Sequence, residues 1–237
     1  MPWRRGARLG VGSASAALCR GSPLTPAIPA RSKCWGRNRA GQLGLGDTLD
    51  RGRGAKDMGA NLTSVDLGAG WTVVEVAAGE FHTCARLENG AARALKCWGG
   101  NNGALGLGDI YNRGNRGGSM GDSLPGVQLG TGRSAVALAL GEGHTCALLD
   151  DASVKCWGNN VFGELGFYTH TRDEHGDQPG DMGDSLFVVP VCSSFWTCGN
   201  TVLLAAGSSH TCAVLDDGEL CAPRPLPLPW MGCFSLA

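Results

Sequence analysis

Lys155-Cys156-Trp157-Gly158-Asn159-Asn160 decides the fold, because the same phrase occurs twice more. It stands at Lys33-Cys34-Trp35-Gly36-Arg37-Asn38 and at Lys96-Cys97-Trp98-Gly99-Gly100-Asn101. The tryptophans lie 63 and 59 residues apart, and a Gly-x-Leu-Gly follows each phrase, at 41–44, 103–106 and 163–166. A second phrase keeps the same phase: Gly79-Glu80-Phe81-His82-Thr83-Cys84, Gly141-Glu142-Gly143-His144-Thr145-Cys146 and Gly207-Ser208-Ser209-His210-Thr211-Cys212. A third is Met58-Gly59, Met120-Gly121 and Met182-Gly183, with Leu62, Leu124 and Leu186 three residues after each glycine. Three phrases in phase define a unit of about 62 residues, present three times with part of a fourth.

The composition agrees with a turn-rich repeat protein. There are 39 glycines in 237 residues, more than twice the usual share, placed at recurring positions without a collagen period. Hydrophobic residues make up 43%, enough for a real core. With 20 basic and 21 acidic side chains, bulk charge argues against a nucleic-acid binder. No run of about 18 apolar residues is present to span a membrane. Eleven cysteines cannot all pair within one chain.

Each unit reads as short antiparallel strands. Residues 72–78, 134–140 and 201–206 are strand-length apolar runs bounded by glycine, and their near-continuous apolarity predicts burial on both faces. A hairpin follows. In the second unit 145–149 and 154–157 flank the turn Asp150-Asp151-Ala152, with Ala152 where a left-handed glycine belongs. The last unit turns at Asp216-Asp217-Gly218, and the first carries a longer turn from Glu88 to Ala94. Counting outward from Leu149 opposite Ser153 puts Cys146 across from Cys156. Directly opposed Cβ atoms sit about 4.5–5.5 Å apart, slightly long for a disulfide unless the pair is a non-hydrogen-bonded one. Cys84 with Cys97, and Cys212 with Cys221, hold matching places. Disulfides and reduced, buried thiols both fit, and the redox compartment decides between them. Trp35, Trp98 and Trp157 are read as core fillers, as are His82, His144 and His210, and the leucine of Gly-x-Leu-Gly plugs the gap between neighbouring units.

The order strand, Gly-x-x-His-Thr-Cys-Ala, hairpin, Lys-Cys-Trp-Gly-x-Asn-x-x-Gly-x-Leu-Gly-x-Gly-Asp resembles the regulator of chromosome condensation repeat over residues 34–221. The resemblance implies an all-β fold, a β-propeller of four-stranded blades, here about three blades plus part of a fourth. Complete propellers of that family usually have seven. Within the family, the cysteine-paired variant with the Met-Gly phrase is similar to long tandem arrays, while no segment matches the inserted β-wedge of the Ran exchange factors. Residues 1–33, basic without an acidic residue, resemble a transit peptide or unstructured extension. Residues 222–237 form an atypical proline-rich tail, in which Pro223–Pro229 can adopt a short polyproline helix. The segment 191–197, with Cys192 and Cys198, is an insert that can close its own C-x5-C clip.

Sites that suggest chemistry carry structural readings as well. His and Cys two apart on a strand share a face and suit zinc, yet the pair recurs in every unit, as a packing solution does. The same recurrence weighs against a Cys–His nucleophile. The glycine-rich 99–108 lacks a phosphate-loop lysine, and the acidic stretch 173–184 lacks calcium-hand order. No residue is therefore assigned as catalytic, cofactor-binding or metal-binding. Asn61-Leu62-Thr63 is a glycosylation sequon, relevant only to a secreted chain. The loops 47–56 and 109–118, with Arg51, Arg53, Arg113 and Arg116, are the candidate contact surfaces. The leading expectation is a non-enzymatic protein–protein interaction scaffold. One alternative is nucleotide exchange on a small GTPase, by family analogy; another is an extracellular structural array. Open sheet edges further predict that the chain either pairs into a ring, as a homodimer that closes the propeller, or is a piece of a longer protein. The resemblance implies a cytoplasmic location by default, with an organelle or secretion as the other two compartments.

Overall fold

The computed structural model describes residues 32–167, 174–191, 199–216 and 220–221. The N-terminal extension, the proline-rich tail and the Cys192/Cys198 insert lie outside them. The chain divides into two compact units, Met1–Gly100 with Asn112–Gly126, and Asn101–Tyr111 with Val127–Ala237.

In the first unit, β1 (Thr72–Ala78), β2 (His82–Asn89) and β3 (Ala92–Gly99) form an antiparallel sheet in sequence order. The second unit holds two sheets. One is β4 (Ala135–Leu140), β5 (His144–Leu149), β6 (Val154–Asn159) and β7 (Glu174–His175); the other is β8 (Thr201–Ala206), β9 (Thr211–Leu215) and β10 (Leu220–Cys221). Short 3-10 turns at Gly59–Asn61, Gly121–Ser123 and Gly183–Ser185 mark the Met-Gly phrases. The leucine after each turn, Leu62, Leu124 or Leu186, is buried.

Three expectations about the strands need correction. The first strand of each sheet is not buried on both faces: Val74, Val136 and Val202 are exposed. Each sits at a register shift in the ladder, between Val73 and Glu75, Ala135 and Ala137, and Thr201 and Leu203. The extra residue of the bulge shifts the register, and its valine faces water. An uninterrupted apolar run conceals such a bulge, because bulged and paired valines read alike. The first hairpin is tight, not long: Asn89 pairs with Ala92, so only Gly90 and Ala91 form the turn, with Gly90 at φ +59°. The Cys212–Cys221 hairpin also differs. Cys84 opposes Cys97 and Cys146 opposes Cys156, and both pairs are disulfides. Cys221 instead lies across from Ala213, and Cys212 is a free thiol. Its two cysteines are 9 residues apart against 10 in the Cys146–Cys156 hairpin, so the backbone register no longer sets them opposite one another.

Ala152 takes φ +66°, the left-handed conformation expected where a glycine is missing. The turn is held by Ala152 N–H donating to Leu149 O at 3.0 Å and Leu149 N–H donating to Ser153 O at 2.8 Å.

Candidate functional site

The loops are held by a hydrogen-bond scheme that repeats from unit to unit. The asparagine of Cys-Trp-Gly-x-Asn staples the loop that follows it. Asn38 Nδ2 donates to Asp47 O at 2.9 Å while its Oδ1 accepts from Leu43 N–H at 2.9 Å. Asn101 Nδ2 donates to Asp109 O at 2.7 Å, and its Oδ1 accepts from Leu105 N–H at 3.2 Å. Asn160 Oδ1 likewise accepts from Leu165 N–H at 3.0 Å. The leucines Leu43, Leu105 and Leu165 are fully buried as a result.

Each Gly-x-Leu-Gly then closes over the sheet that follows it in sequence. Gln42 O accepts from Thr83 Oγ1 at 2.9 Å and from Trp98 Nε1 at 3.0 Å. Ala104 O accepts from Thr145 Oγ1 and Trp157 Nε1 at the same two distances. Glu164 O accepts from Thr211 Oγ1 at 2.9 Å. One carbonyl thus satisfies both the threonine of His-Thr-Cys and the indole of Cys-Trp-Gly, which keeps Trp98 and Trp157 fully buried without an orphaned donor.

Sequence reasoning missed a lysine clamp. Lys33, Lys96 and Lys155 each donate from Nζ to the carbonyl of the Met-Gly glycine, Gly59, Gly121 or Gly183, at 2.9, 2.8 and 2.7 Å. Lys96 also donates to Leu67 O at 3.0 Å. Burial holds the Lys96 ammonium below its ordinary pKa, against the pull of Asp122 and Asp66. The lysine's strict place before each cysteine was the available signal.

The histidines differ among themselves. His82 and His144 are buried, whereas His210 is exposed, a correction to its reading as core. His144 shows why. Its Nε2 lies 3.0 Å from Thr211 Oγ1, the threonine of the next unit, and the described residues contain no further unit beyond His210. Trp35 is corrected for the converse reason: it is only half-buried, since no described Gly-x-Leu-Gly precedes it.

The His144 environment fixes its protonation. Thr211 Oγ1 gives its proton to Glu164 O, so His144 Nε2 must donate to Thr211 and Nδ1 carries the bare lone pair. Nδ1 is buried without a partner, and a Cβ on Gly141 would run into the ring. That contact is the reason for glycine in Gly-x-x-His, and it repeats at Gly207 against His210. Burial, with His210 nearby, pushes the His144 pKa down to about 4. The unfolded chain, with a pKa near 6.5, then binds more protons than the folded one on the acid side. The stabilisation by neutral His144 is complete above about pH 6.5 and is lost as pH falls toward 4. About 2 kcal/mol should vanish between pH 7 and 5, and His144→Gln should flatten that part of a urea-denaturation series.

The four candidate arginines fall into two kinds. Arg51 is anchored, donating to Asp47 Oδ2 at 2.7 Å, and Arg113 pairs through its backbone with Gly99. Burial raises the Asp47 pKa, but hydrogen bonds from Leu49 N–H and Arg51 outweigh it and leave the carboxylate below its usual range. Arg53 and Arg116 point outward, and the Arg53 side chain is 83% exposed. The same loops expose apolar side chains that their sequence does not single out: Leu49 is 65% exposed, and Ile110 and Tyr111 are 60% and 66% exposed. Leu49 and Tyr111 stand two residues after Asp47 and Asp109, at equivalent places. Among the described residues no group of three or more His, Cys, Asp or Glu is placed to hold a metal, and no helix is long and apolar enough to cross a membrane.

Comparison with known proteins fits this geometry. The regulator of chromosome condensation (RCC1) repeat matches residues 73–103 and 135–164, the β1–β3 and β4–β6 segments with their following loops. The ultraviolet-B receptor UVR8 of Arabidopsis thaliana is 32% identical over 187 residues, 78% of this chain. The chain spans only 35% of that relative's length. Among solved structures, human WBSCR16 superposes with a TM-score of 0.56 at 17% identity, over 81% of this chain and 42% of that one. Yeast RCC1 (Prp20) bound to Kap60 gives 0.54 at 22% identity, over 81% and 39%. These structures establish the fold as that of propeller blades. Repeat match and relative together place the chain in the regulator of chromosome condensation repeat family.

Proposed function

We propose that the protein is a non-enzymatic interaction scaffold whose contact surfaces are the loops 47–56 and 109–118. One observation carries this reading: loops stapled by an asparagine carry exposed apolar side chains and exposed arginines at equivalent sequence positions, Leu49 and Arg53 in one loop, Tyr111 and Arg116 in the other. Exposed apolar residues on a fixed backbone lose little entropy when a partner covers them, and arginine and tyrosine are the side chains that dominate protein interfaces. The buried lysine and threonine groups bond to the chain's own backbone carbonyls.

The test is partner capture with quantitative mass spectrometry, comparing the native chain with Leu49→Asp/Arg53→Glu and with Tyr111→Asp/Arg116→Glu. At unchanged thermal midpoint, either double variant should lose at least tenfold of its specifically captured protein. Undiminished capture by both variants would remove the loops from the proposal. The solved yeast Prp20p, 19% identical, is described as having binding properties to Gsp1p and histones. Accelerated nucleotide release from a small GTPase by this chain would favour the exchange-factor reading instead.

A further inference from the structure

We infer that Asn61 is the acceptor of an N-linked oligosaccharide, on a chain that folds in the oxidising lumen where such glycans are attached. The inference does not rest on the interaction-scaffold reading. It comes from comparing the three Met-Gly turns, of which only the first departs from the repeat. The second and third read Met-Gly-Asp-Ser-Leu at 120–124 and 182–186, followed by Pro125 or Phe187. The first reads Met-Gly-Ala-Asn-Leu-Thr at 58–63, with asparagine at the serine place and threonine two residues on. Two departures therefore coincide to make Asn-Leu-Thr, the one Asn-x-Ser/Thr sequence among the 237 residues.

The turn presents that sequence to solvent. Asn61 ends the 3-10 turn Gly59–Asn61, and Leu62 follows in extended backbone at φ −75° and ψ 111°. Extended backbone sends successive side chains to opposite sides, so Leu62 enters the core while Asn61 and Thr63, on either side of it, are both exposed. The order exposed, buried, exposed is the same at Ser123-Leu124-Pro125 and at Ser185-Leu186-Phe187, so it belongs to the turn and not to the place of the unit in the array. Among the described residues no group bonds the Asn61 side chain, and the same holds for Ser123 and Ser185. In the other two turns the aspartate reaches elsewhere in the fold: Asp122 Oδ1 accepts from Ala69 N–H at 3.1 Å, and Asp184 Oδ1 from Thr131 N–H at 2.8 Å. Ala60, at the same place, has no carboxylate for such a bond, so the outward polar side chains of the first turn are the Asn61 amide and the Thr63 hydroxyl.

A second, independent observation is the state of the cysteines. Cys84–Cys97 and Cys146–Cys156 are closed disulfides, and Cys34 is disulfide-bonded as well. Disulfides at the same place in successive units form and persist where thiols are oxidised, in the secretory lumen and beyond it, and not in the reducing cytosol. That lumen also holds the donor for Asn-x-Ser/Thr, an oligosaccharide carried on a lipid pyrophosphate. In the transfer, Asn61 Nδ2 bonds to the anomeric carbon of the first sugar. The anomeric C–O bond to the pyrophosphate breaks, the lipid pyrophosphate leaves with the electron pair, and one amide proton passes to water. The transferase reads the Thr63 hydroxyl two residues on, and the exposed turn offers both groups together.

The test isolates the protein from the cells that make it, reduces it and digests it with trypsin, which releases residues 57–86 with Asn61 inside. Peptide-N-glycosidase A in 18O-labelled water should leave an 18O-labelled aspartate at position 61, and an enzyme-free control should carry no label. Recovery of this peptide only with unmodified Asn61 overturns the inference. So do thiols that alkylate at Cys84, Cys97, Cys146 and Cys156 before reduction. A second measurement expresses the full chain behind a cleavable secretory leader in cultured eukaryotic cells. A band heavier by one glycan should appear and collapse on glycosidase treatment. Asn61→Gln and Thr63→Ala should each abolish it, and Thr63→Ser should keep it. Asn61→Gln should leave the urea midpoint of the deglycosylated protein unchanged, since no described group bonds that side chain. Absence of the heavier band, or a band that survives Asn61→Gln, overturns the assignment.

Discussion

Trp157→Ala should lower the unfolding free energy by about 3–5 kcal/mol. The side chain is fully buried, so its loss opens a cavity that a tightly turned sheet cannot collapse into. The loss extends to the loop. Ala104 O keeps Thr145 Oγ1 but loses the indole, and a Cβ on Gly106 would lie only 2.7 Å from Trp157 Nε1, so the loop rests directly on the ring. Trp157→Phe should recover part of the packing and none of the hydrogen bond, landing between the two. Trp35→Ala is the internal control: a half-buried ring with no seated loop should cost about 1 kcal/mol. Urea denaturation of the three variants at pH 7.5 measures this, and equal losses at positions 35 and 157 would contradict the packing described.

Removing the Cys146–Cys156 disulfide should cost about 3 kcal/mol. The bond closes a sequence separation of 10 residues, and the chain-entropy treatment of a loop that size gives a value of this order. The Cys146→Ala/Cys156→Ala chain should unfold at lower urea without a change in slope. Adding a reductant should lower the midpoint of the native chain beyond that of the double variant, because it also opens the Cys84–Cys97 bond and the disulfide of Cys34. Cys212 supplies the contrast, since Cys212→Ala removes no cross-link and should leave the reductant response unchanged. A native chain indifferent to reductant would mean that the cysteines act only as small buried groups.

Much of the architecture was legible in the sequence because the determinants are local and repeat. Two of the three leading apolar runs coincide with β1 and β8, and the third begins one residue before β4. The Cys146–Cys156 register follows from a three-residue turn. What escaped notice depends on a neighbour. His210 and His144 share a sequence phrase, yet only His144 is covered, by Thr211 of the following unit. Trp35 and Trp157 share another, and among the described residues only Trp157 has a loop above it. Phrases report what a unit needs, not whether the adjoining unit is there to supply it. The lysine clamp was hidden differently: Lys96 and Gly121 are 25 residues apart, beyond the reach of any local pattern. In the candidate contact loops the arginines were visible by composition, whereas the division into anchored Arg51 and outward Arg53 depends on where Asp47 sits.

The forward reach of each Gly-x-Leu-Gly loop gives the repeat a polarity. A unit receives at its tryptophan and offers at its loop, so its two sides are unlike, as in overlapping roof tiles. Joints between such units are head-to-tail by construction, and head-to-tail joints end only in closure or in continued growth. Whole units of about 62 residues can therefore be gained or lost without altering the chemistry of any interior joint, because every joint sets the same loop over the same tryptophan and threonine.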